Sequence, residues 1–503
     1  MGDLYSEDLL RLAESDTRPD FDDTAFFDAA GMVYNAGGFD ASMLSAPEAR
    51  KMIDETLRIL KTGIDSGLPV DVPEVLRYAL ENNAFIFSGF KAFHTLREVG
   101  LSLLTDKGEI KPFETFRHDV ETINKRYNHN YLYAEYNHAV GSSLMAARWH
   151  QIEADGDRYD LQYRTAQDDR VREDHAILHG TTLPPSDPFW GKYMPPNGWN
   201  CRCEAVQVRK GKYPLSDPAL SMQKGDNCTE AAKQQIFRFN PGKELQLFPP
   251  KHPYFKAPEA AKKVVAQLSE EQKREQRITE MIAELPDNLT ETEKKAVAEH
   301  NLKLEKALGI TKSKPMSVDE ADKQSANPNY GKEKGYGINC QTCAPAYALR
   351  LLGFNVSAKS NKPGTKLDYL SRGNQLWEEW LNIDGTPAKH TSLNDWMAGK
   401  KYMRMTQKRY VEFFNEICKE TGVYMLSIGW KGGGGHATIL QRFADGTLRY
   451  IEPQHDNSKG SGRETHDLGW LGKNGAATNH SCRGIMRVDN KLFNVSFAEI
   501  FDK

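Results

Sequence analysis

No run of about 18 apolar residues occurs anywhere in the chain, so no membrane-spanning helix is expected. No secretory signal is legible near the start, and secretion by the usual route is not expected. Charge of one sign is also missing. The 66 basic and 69 acidic residues leave a net of −3, so no whole-chain field favours nucleic acid or a membrane surface as partner. The seven cysteines are odd in number and widely scattered, which excludes a disulfide framework and makes a reducing host cytoplasm the expected place of synthesis. Internal repeats and long low-complexity tracts are absent as well. At 503 residues the chain exceeds one ordinary core, and about three domains are expected.

Residues 1–124 read as a mostly helical region. Ser45-Ala-Pro47 starts one amphipathic segment, Pro73 starts another carrying Val75, Leu76, Leu80, Phe85 and Phe87, and an aromatic-rich segment follows Pro112. Tyr127, Tyr131, Tyr133 and Tyr136, with His129 and His138 between them, read as helix-packing aromatics with polar tips at a surface.

A compact α+β module follows over 125–210. It contains Tyr159-Asp-Leu-Gln-Tyr-Arg, Asp168-Asp-Arg170-Val-Arg172-Glu-Asp-His175, Phe189-Trp190 and Pro195-Pro-Asn-Gly-Trp-Asn-Cys201-Arg-Cys203. In that order these motifs resemble the phage Mu F-like head morphogenesis family, the minor head proteins of tailed phages. The resemblance implies a virion component with portal and head proteins as partners; it does not by itself imply an enzyme. His175, His179, Cys201 and Cys203 could converge as a zinc site of two nitrogens and two sulfurs. The alternative is a hydrogen-bonded His175 beside plain buried cysteines, and the spacing favours it, because His175 and His179 share a face only if their loop-like stretch is helical. A strand is expected from Cys201 to Val208.

Residues 211–312 read as connector and helical spacer. The first part, to about 258, is rich in Pro, Gly and Lys, and no packed domain is expected there. Ser269-Glu-Glu-Gln272 reads as a capping-box start for a helix lined by Ile278, Ile282 and Leu285 and ended by Pro286; Thr290-Glu-Thr-Glu293 starts a second, closed by Gly309. The polar stretch from Lys312 to Lys334 reads as a flexible tether, 313–326, leading into a last domain over 327–503.

In that domain Cys340 and Cys343 lie at the start of a helix that Gly353 should end. The positive end of a helix favours thiolate, the nucleophilic form. Placing Pro345 within the first three helical positions puts Cys343 at the helix start and favours it as nucleophile on helix physics alone. A structural disulfide or buried thiol pair is the inert alternative. The candidate base is His436, which opens an apolar strand after four glycines that suggest a mobile loop. Asp445-Gly446 then turns the chain back toward Glu452-Pro453-Gln454. A two-residue loop would set Ile439 opposite Glu452 and turn His436 away from it. A three-residue loop, Ala444 to Gly446 with a left-handed glycine, sets His436 across from Gln454 with Glu452 diagonal on the same face, and this second register is predicted. Val423–Trp430 and Gly484–Asp489 are further strand candidates, and His390, His455, His466 and His480 read as surface residues.

Asn339-Cys340-Gln-Thr-Cys343, Gly435-His436-Ala437 and Glu452-Pro453-Gln454 resemble the papain-fold toxin family, deamidase-like effector domains of bacterial polymorphic toxins. The resemblance implies Cys340 as nucleophile, His436 as general base and acid, Glu452 as orienter and Gln454 as accessory; Glu452 stands where that family usually has aspartate. It also implies a protein substrate, glutamine deamidation, an immunity protein and delivery of the domain into a target cell. The expected architecture is therefore multidomain: a mostly α N-terminal region with a small α+β module, a helical spacer and a C-terminal α+β papain-like domain. The expected activity is that of a thiol-dependent amidohydrolase needing no cofactor, with proteolysis and transglutamination as alternatives from the same thioester. A purely structural protein with an inactive module is the competing expectation.

Overall fold

The computed structural model describes residues 19–231, 233–372, 375–398, 400, 405–429, 434–455 and 484–502. The chain forms two compact units, Met1–Arg274 and Glu275–Lys503.

The first unit is built on the helices Asp23–Ala36, Pro47–Gly67, Glu74–Leu101, Phe113–Asn124 and Leu132–Asp155. Pro47 opens its helix as read, since a first-turn residue needs no intrahelical N–H bond. On the next helix Leu76, Leu80, Phe85 and Phe87 are buried, whereas Val75 faces solvent. Gly67 lets two helices touch at their backbones: a Cβ there would stand 2.2 Å from the carbonyl oxygen of Val140.

His138 does not sit at a surface. It is buried among Trp199, Phe237 and Phe248, and loss of water drives its pKa down to about 3. Nearby, Lys91 and Glu135 form a fully buried ion pair. Desolvation pulls the lysine down and pushes the carboxyl up, each opposed by the partner's charge.

The module after Asp155 holds a three-stranded antiparallel sheet, with Tyr159–Arg164 between Thr182–Leu183 and Glu204–Arg209. The last strand begins at Glu204, so Cys201 and Cys203 lie just ahead of it rather than on it.

Residues 211–258 are packed, against expectation. Phe237, Phe239, Leu247, Phe248 and Tyr254 are buried, and Phe248 stacks on Phe87 with centroids 3.7 Å apart. The short helix Pro241–Glu244 packs on Leu132–Asp155, where a Cβ on Gly242 would meet that of Trp149 at 2.4 Å. Proline and glycine break regular structure, but the aromatic residues between them still gain by burial.

The helix read from Ser269 begins ten residues earlier, at Glu259, and runs to Ala283. Ser269 is interior and bonds Asn82 at 2.8 Å, so local capping chemistry was overridden by the apolar face of the preceding residues. The next helix, Glu291–Leu308, has the capping box read from sequence and ends at Gly309 with φ +66°.

The stretch read as a tether is also packed. It forms the helix Val318–Lys323 and buries Ala321, Ala326 and Asn327. The buried Arg350 guanidinium donates to the carbonyls of Gln324 (2.5 Å) and Val356 (2.7 Å), so backbone acceptors in polar sequence become ligands for an interior cation.

The second unit carries a five-stranded antiparallel sheet in the order Thr391–Ser392, Gly484–Arg487, Gly422–Gly429, Gly435–Arg442, Leu448–Ile451. Met425, Ile439 and Ile451 share a core with Tyr347 of the helix Cys340–Leu351. Tyr424, Leu426, Leu440 and Tyr450 share another with Phe413 and Phe414 of the helix Gln407–Ile417. The alternation is the period of two that a sheet buried on both faces requires. The unit is therefore α+β.

Replacing Lys91 with alanine strands Glu135 in the interior and should cost about 3–5 kcal/mol in chemical denaturation; replacing both by Met and Leu should cost much less.

Candidate active site

The helix carrying the thiols starts at Cys340, with Asn339 as its cap and Pro345 as its sixth residue. Pro345 is thus not confined to the first three positions, and Cys343 is not at the helix start. The first intrahelical bonds run from the amides of Thr342 (2.9 Å) and Cys343 (3.1 Å) to the Asn339 carbonyl, leaving the Cys340 and Gln341 amides ahead of the ladder.

The hairpin has the three-residue loop. Phe443 N donates to the Thr447 carbonyl at 2.8 Å, Gly446 has φ +84°, and Ile439 pairs with Ile451. This register brings His436 and Glu452 together: His436 Nε2 lies 2.5 Å from Glu452 Oε2. Glu452 also accepts from the Tyr450 hydroxyl (2.9 Å) and from its own turn, the Gln454 amide (3.0 Å). Burial disfavours this carboxylate, yet these bonds and the imidazolium hold its pKa below the usual range.

The His436 ring lies within electrostatic reach of the Cys340 sulfur, which itself donates to Gln341 Oε1 at 3.3 Å. Burial works against the imidazolium, but Cys340 and Glu452 outweigh it and raise the His436 pKa to about 10. Cys343 is different. Complete burial, with Cys340 and Glu452 nearby, pushes its thiol well above the ordinary value. Of the two, Cys340 is the one at the helix start. Both cysteines are free thiols.

Gln454 braces the helix start rather than the imidazole. Its Nε2 donates to Asn339 Oδ1 at 3.3 Å, and its carbonyl accepts from Asn327 at 2.8 Å. Asn339 in turn donates to Asn327 Oδ1 and to the Lys359 carbonyl, each at 3.0 Å. This lattice beneath Cys340 was not read from sequence. Nor was Glu379, a fully buried acid; neither of its oxygens has a hydrogen-bond partner among the described residues, and burial pushes its pKa well up. An acid between Trp377 and Trp380 was the available signal.

Cys340 is only 5% exposed. A cavity of about 630 Å³ elsewhere in the unit, lined by Leu285, Leu304, Met316, Leu349 and Phe493 among others, includes neither Cys340 nor His436. Of the glycine run, Gly434 (φ +77°) and Gly435 are described; Gly432 and Gly433 lie outside the described residues, as do His466 and His480. His390 is half-buried and stacks on Trp377 at 4.4 Å, not a free surface residue.

In the first unit, His175 lies on a single helical turn, Glu173–Ala176. Its Nδ1 is 3.5 Å from Cys201 Sγ and 3.6 Å from Cys203 Sγ. His179 is not part of this cluster. Its Nδ1 accepts from Thr165 N at 3.1 Å and its Nε2 bonds Gln167 at 3.0 Å, because the helix stops before it and the ring turns toward the first strand.

Residues 111–206 match the family described as Phage Mu protein F like protein. The match begins ahead of the boundary at 125 read from sequence. Over 111 residues the chain is 32% identical to "Putative capsid assembly protein F" of Escherichia phage Mu, covering 20% of this chain and 25% of that protein. It is 38% identical over 69 residues to "Mu-like prophage FluMu F protein" of Haemophilus influenzae, covering 12% and 17%. The chain thus spans a quarter or less of the length of these relatives. No solved structure matches it. His175, Cys201 and Cys203 fall inside the Mu F-like segment, and the whole Cys340 site falls outside it.

Because the folded pKa of His436 is raised above its unfolded value near 6.5, the stabilisation from its imidazolium is fully present below that pH and fades as pH rises toward about 10. An NMR titration of the His436 ring should find it protonated at pH 8, and Glu452→Gln should lower that midpoint.

Proposed function

We propose that the chain is a minor head protein of a phage or prophage, made in the host cytoplasm and acting in head assembly with portal and other head proteins, and that its second unit is a thiol-dependent amidohydrolase. The first half of this reading is supported by the Mu F-like segment and by the names of its relatives. The second is carried by one observation, the His436–Glu452 hydrogen bond set beside Cys340 at a helix start.

That arrangement has the parts needed for acyl transfer. The sulfur of Cys340 attacks an amide carbonyl carbon, and the amides of Cys340 and Gln341 are candidates to stabilise the developing oxyanion. His436 then gives its proton to the leaving nitrogen, and Glu452 holds the ring in orientation throughout. Water, losing its proton to His436, hydrolyses the thioester and frees the sulfur. With a glutamine side chain as substrate the leaving group is ammonia, the outcome that the likeness to papain-fold deamidase toxins favours; the papain-like fold, delivery into a target cell and an immunity protein that restrains the site belong to the same reading. Burial of Cys340 favours a second reading, in which the unit serves assembly and performs no chemistry.

Full-length chain incubated with host lysate should release ammonia and convert glutamine to glutamate in one or a few proteins, scored by mass spectrometry. Cys340→Ala should abolish this, Cys343→Ala should retain it, and His436→Gln should lower the rate about 10²–10⁴-fold. Cleaved or cross-linked products with the same dependence on Cys340 would reassign the reaction to peptidase or transglutaminase. No product of any kind from the unmutated chain would leave the assembly reading in place.

A further inference from the structure

We propose that a cavity in the first unit, lined by Tyr131, Arg172, Trp199, Lys251, His252 and Lys256 among others, binds one nucleotide, its base against the aromatic rings and its phosphates on the cations. The proposal is independent of the thiol chemistry of the second unit.

The cavity measures about 730 Å³, within the roughly 300–1,000 Å³ range of small-ligand sites. Part of its wall comes from the Mu F-like segment, where Tyr131 ends the π-helix Lys125–Tyr131 and Trp199 follows Gly198. Such a helix is rare, and those that persist are concentrated at functional sites. The rest of the wall comes from chain beyond that segment, including Phe237 and the short turn Pro253–Phe255 that His252 caps.

Charge in this cavity is one-sided. Arg172, Lys233, Lys251 and Lys256 line it, and none of them has an ion-pair partner among the described residues. The acid on the wall, Glu135, is already paired with the buried Lys91. Arg172 is held in place at the Trp199 carbonyl, to which its Nη2 donates at 2.6 Å, and Gly198 makes room for it, since a Cβ there would stand 2.8 Å from Nη1. Its other N–H groups make no hydrogen bond to a described residue, and a guanidinium binds phosphate through paired N–H groups of this kind. The chain as a whole, at a net of −3, presents no field to draw in a nucleic-acid strand, so uncompensated cations confined to one concave surface select a compact polyanion.

Much of the remaining wall is aromatic. Tyr131 is 45% exposed and can take a planar partner, while Trp199 is fixed by edge contacts with Phe237 and His252, centroids 5.1 and 5.6 Å away. His252 adds a neutral donor. It is 7% exposed, and its Nδ1 accepts from the Tyr254 amide at 3.2 Å, which leaves the ring proton on Nε2. Burial and the charge of Lys91 drive its pKa down to about 3, so the ring stays uncharged. No described residue accepts from that Nε2–H, and a buried donor without a partner is costly. A nucleobase brings both a π face for the rings and ring-nitrogen or carbonyl acceptors for this donor; an inorganic polyphosphate meets the charge alone.

Titration calorimetry on the full-length chain should show at least one of ATP, GTP, CTP and UTP bound at one per chain, with the matching nucleoside and inorganic triphosphate each about tenfold weaker or more. Lys251→Glu and Lys256→Glu, at exposed positions where folding is not at stake, should each weaken nucleotide binding about tenfold. Lys107→Glu, the same charge change outside the cavity lining, should leave it unchanged. Tyr131→Ala should weaken nucleotide binding about tenfold and leave that of inorganic triphosphate as it was. No nucleotide bound at millimolar concentration would overturn the proposal, as would unchanged affinity in both lysine variants. So would inorganic triphosphate, an oligothymidylate or a hexaglutamate peptide binding more tightly than every nucleotide.

Discussion

The arrangement of the second unit depends on the register of one hairpin. Phe443 pairs with Thr447 around a loop whose glycine takes a left-handed conformation, and this sets every pair along the two strands. A shift of one residue would turn His436 to the other side of the sheet from Glu452. With the strand Gly435–Arg442 held by its other neighbour, it would also move Ile451 off the face it shares with Ile439, away from the helix that carries Cys340. Packing and chemistry are thus coupled: the same periodicity that buries the strand interior places the imidazole on its carboxylate.

A second constraint acts on the sulfur side. A cysteine at a helix start is useful only if that start is held still, and here the helix is fixed by three amide side chains, Asn327, Asn339 and Gln454, together with backbone carbonyls. Buried amides of this kind are costly unless their donors and acceptors are paired. Gln454 belongs to both halves, since its amide donates to Glu452 while its side chain reaches Asn339. The acid bonded to the imidazole and the cap of the thiol-bearing helix are therefore neighbours in one network.

The first unit solves a different problem. A helical bundle with a buried Lys91–Glu135 pair supports a small sheet whose loops gather a histidine and cysteines, and proline-rich chain beyond the sheet returns to fill the bundle with aromatic residues. Such segments look like linkers because composition reports the irregular backbone. It does not report the few large side chains, such as Phe248 on Phe87, that make the irregular backbone worth ordering.

Local chemistry determined a good deal of this protein from sequence alone. The capping box at Thr290, the turn at Asp445-Gly446, the alternating strands and the Mu F-like motifs each depend on residues close together in the chain, where propensity and spacing act directly. Only tertiary structure decided the rest. It started the helix at Cys340 rather than Cys343 and kept His179 from the cluster of His175, Cys201 and Cys203 by hydrogen bonds to Thr165 and Gln167. It also packed the stretches around 211–258 and 312–334 that polarity marks as loose. The reason is common to all of these: burial and pairing are properties of residues far apart in sequence, and no window along the chain contains both partners.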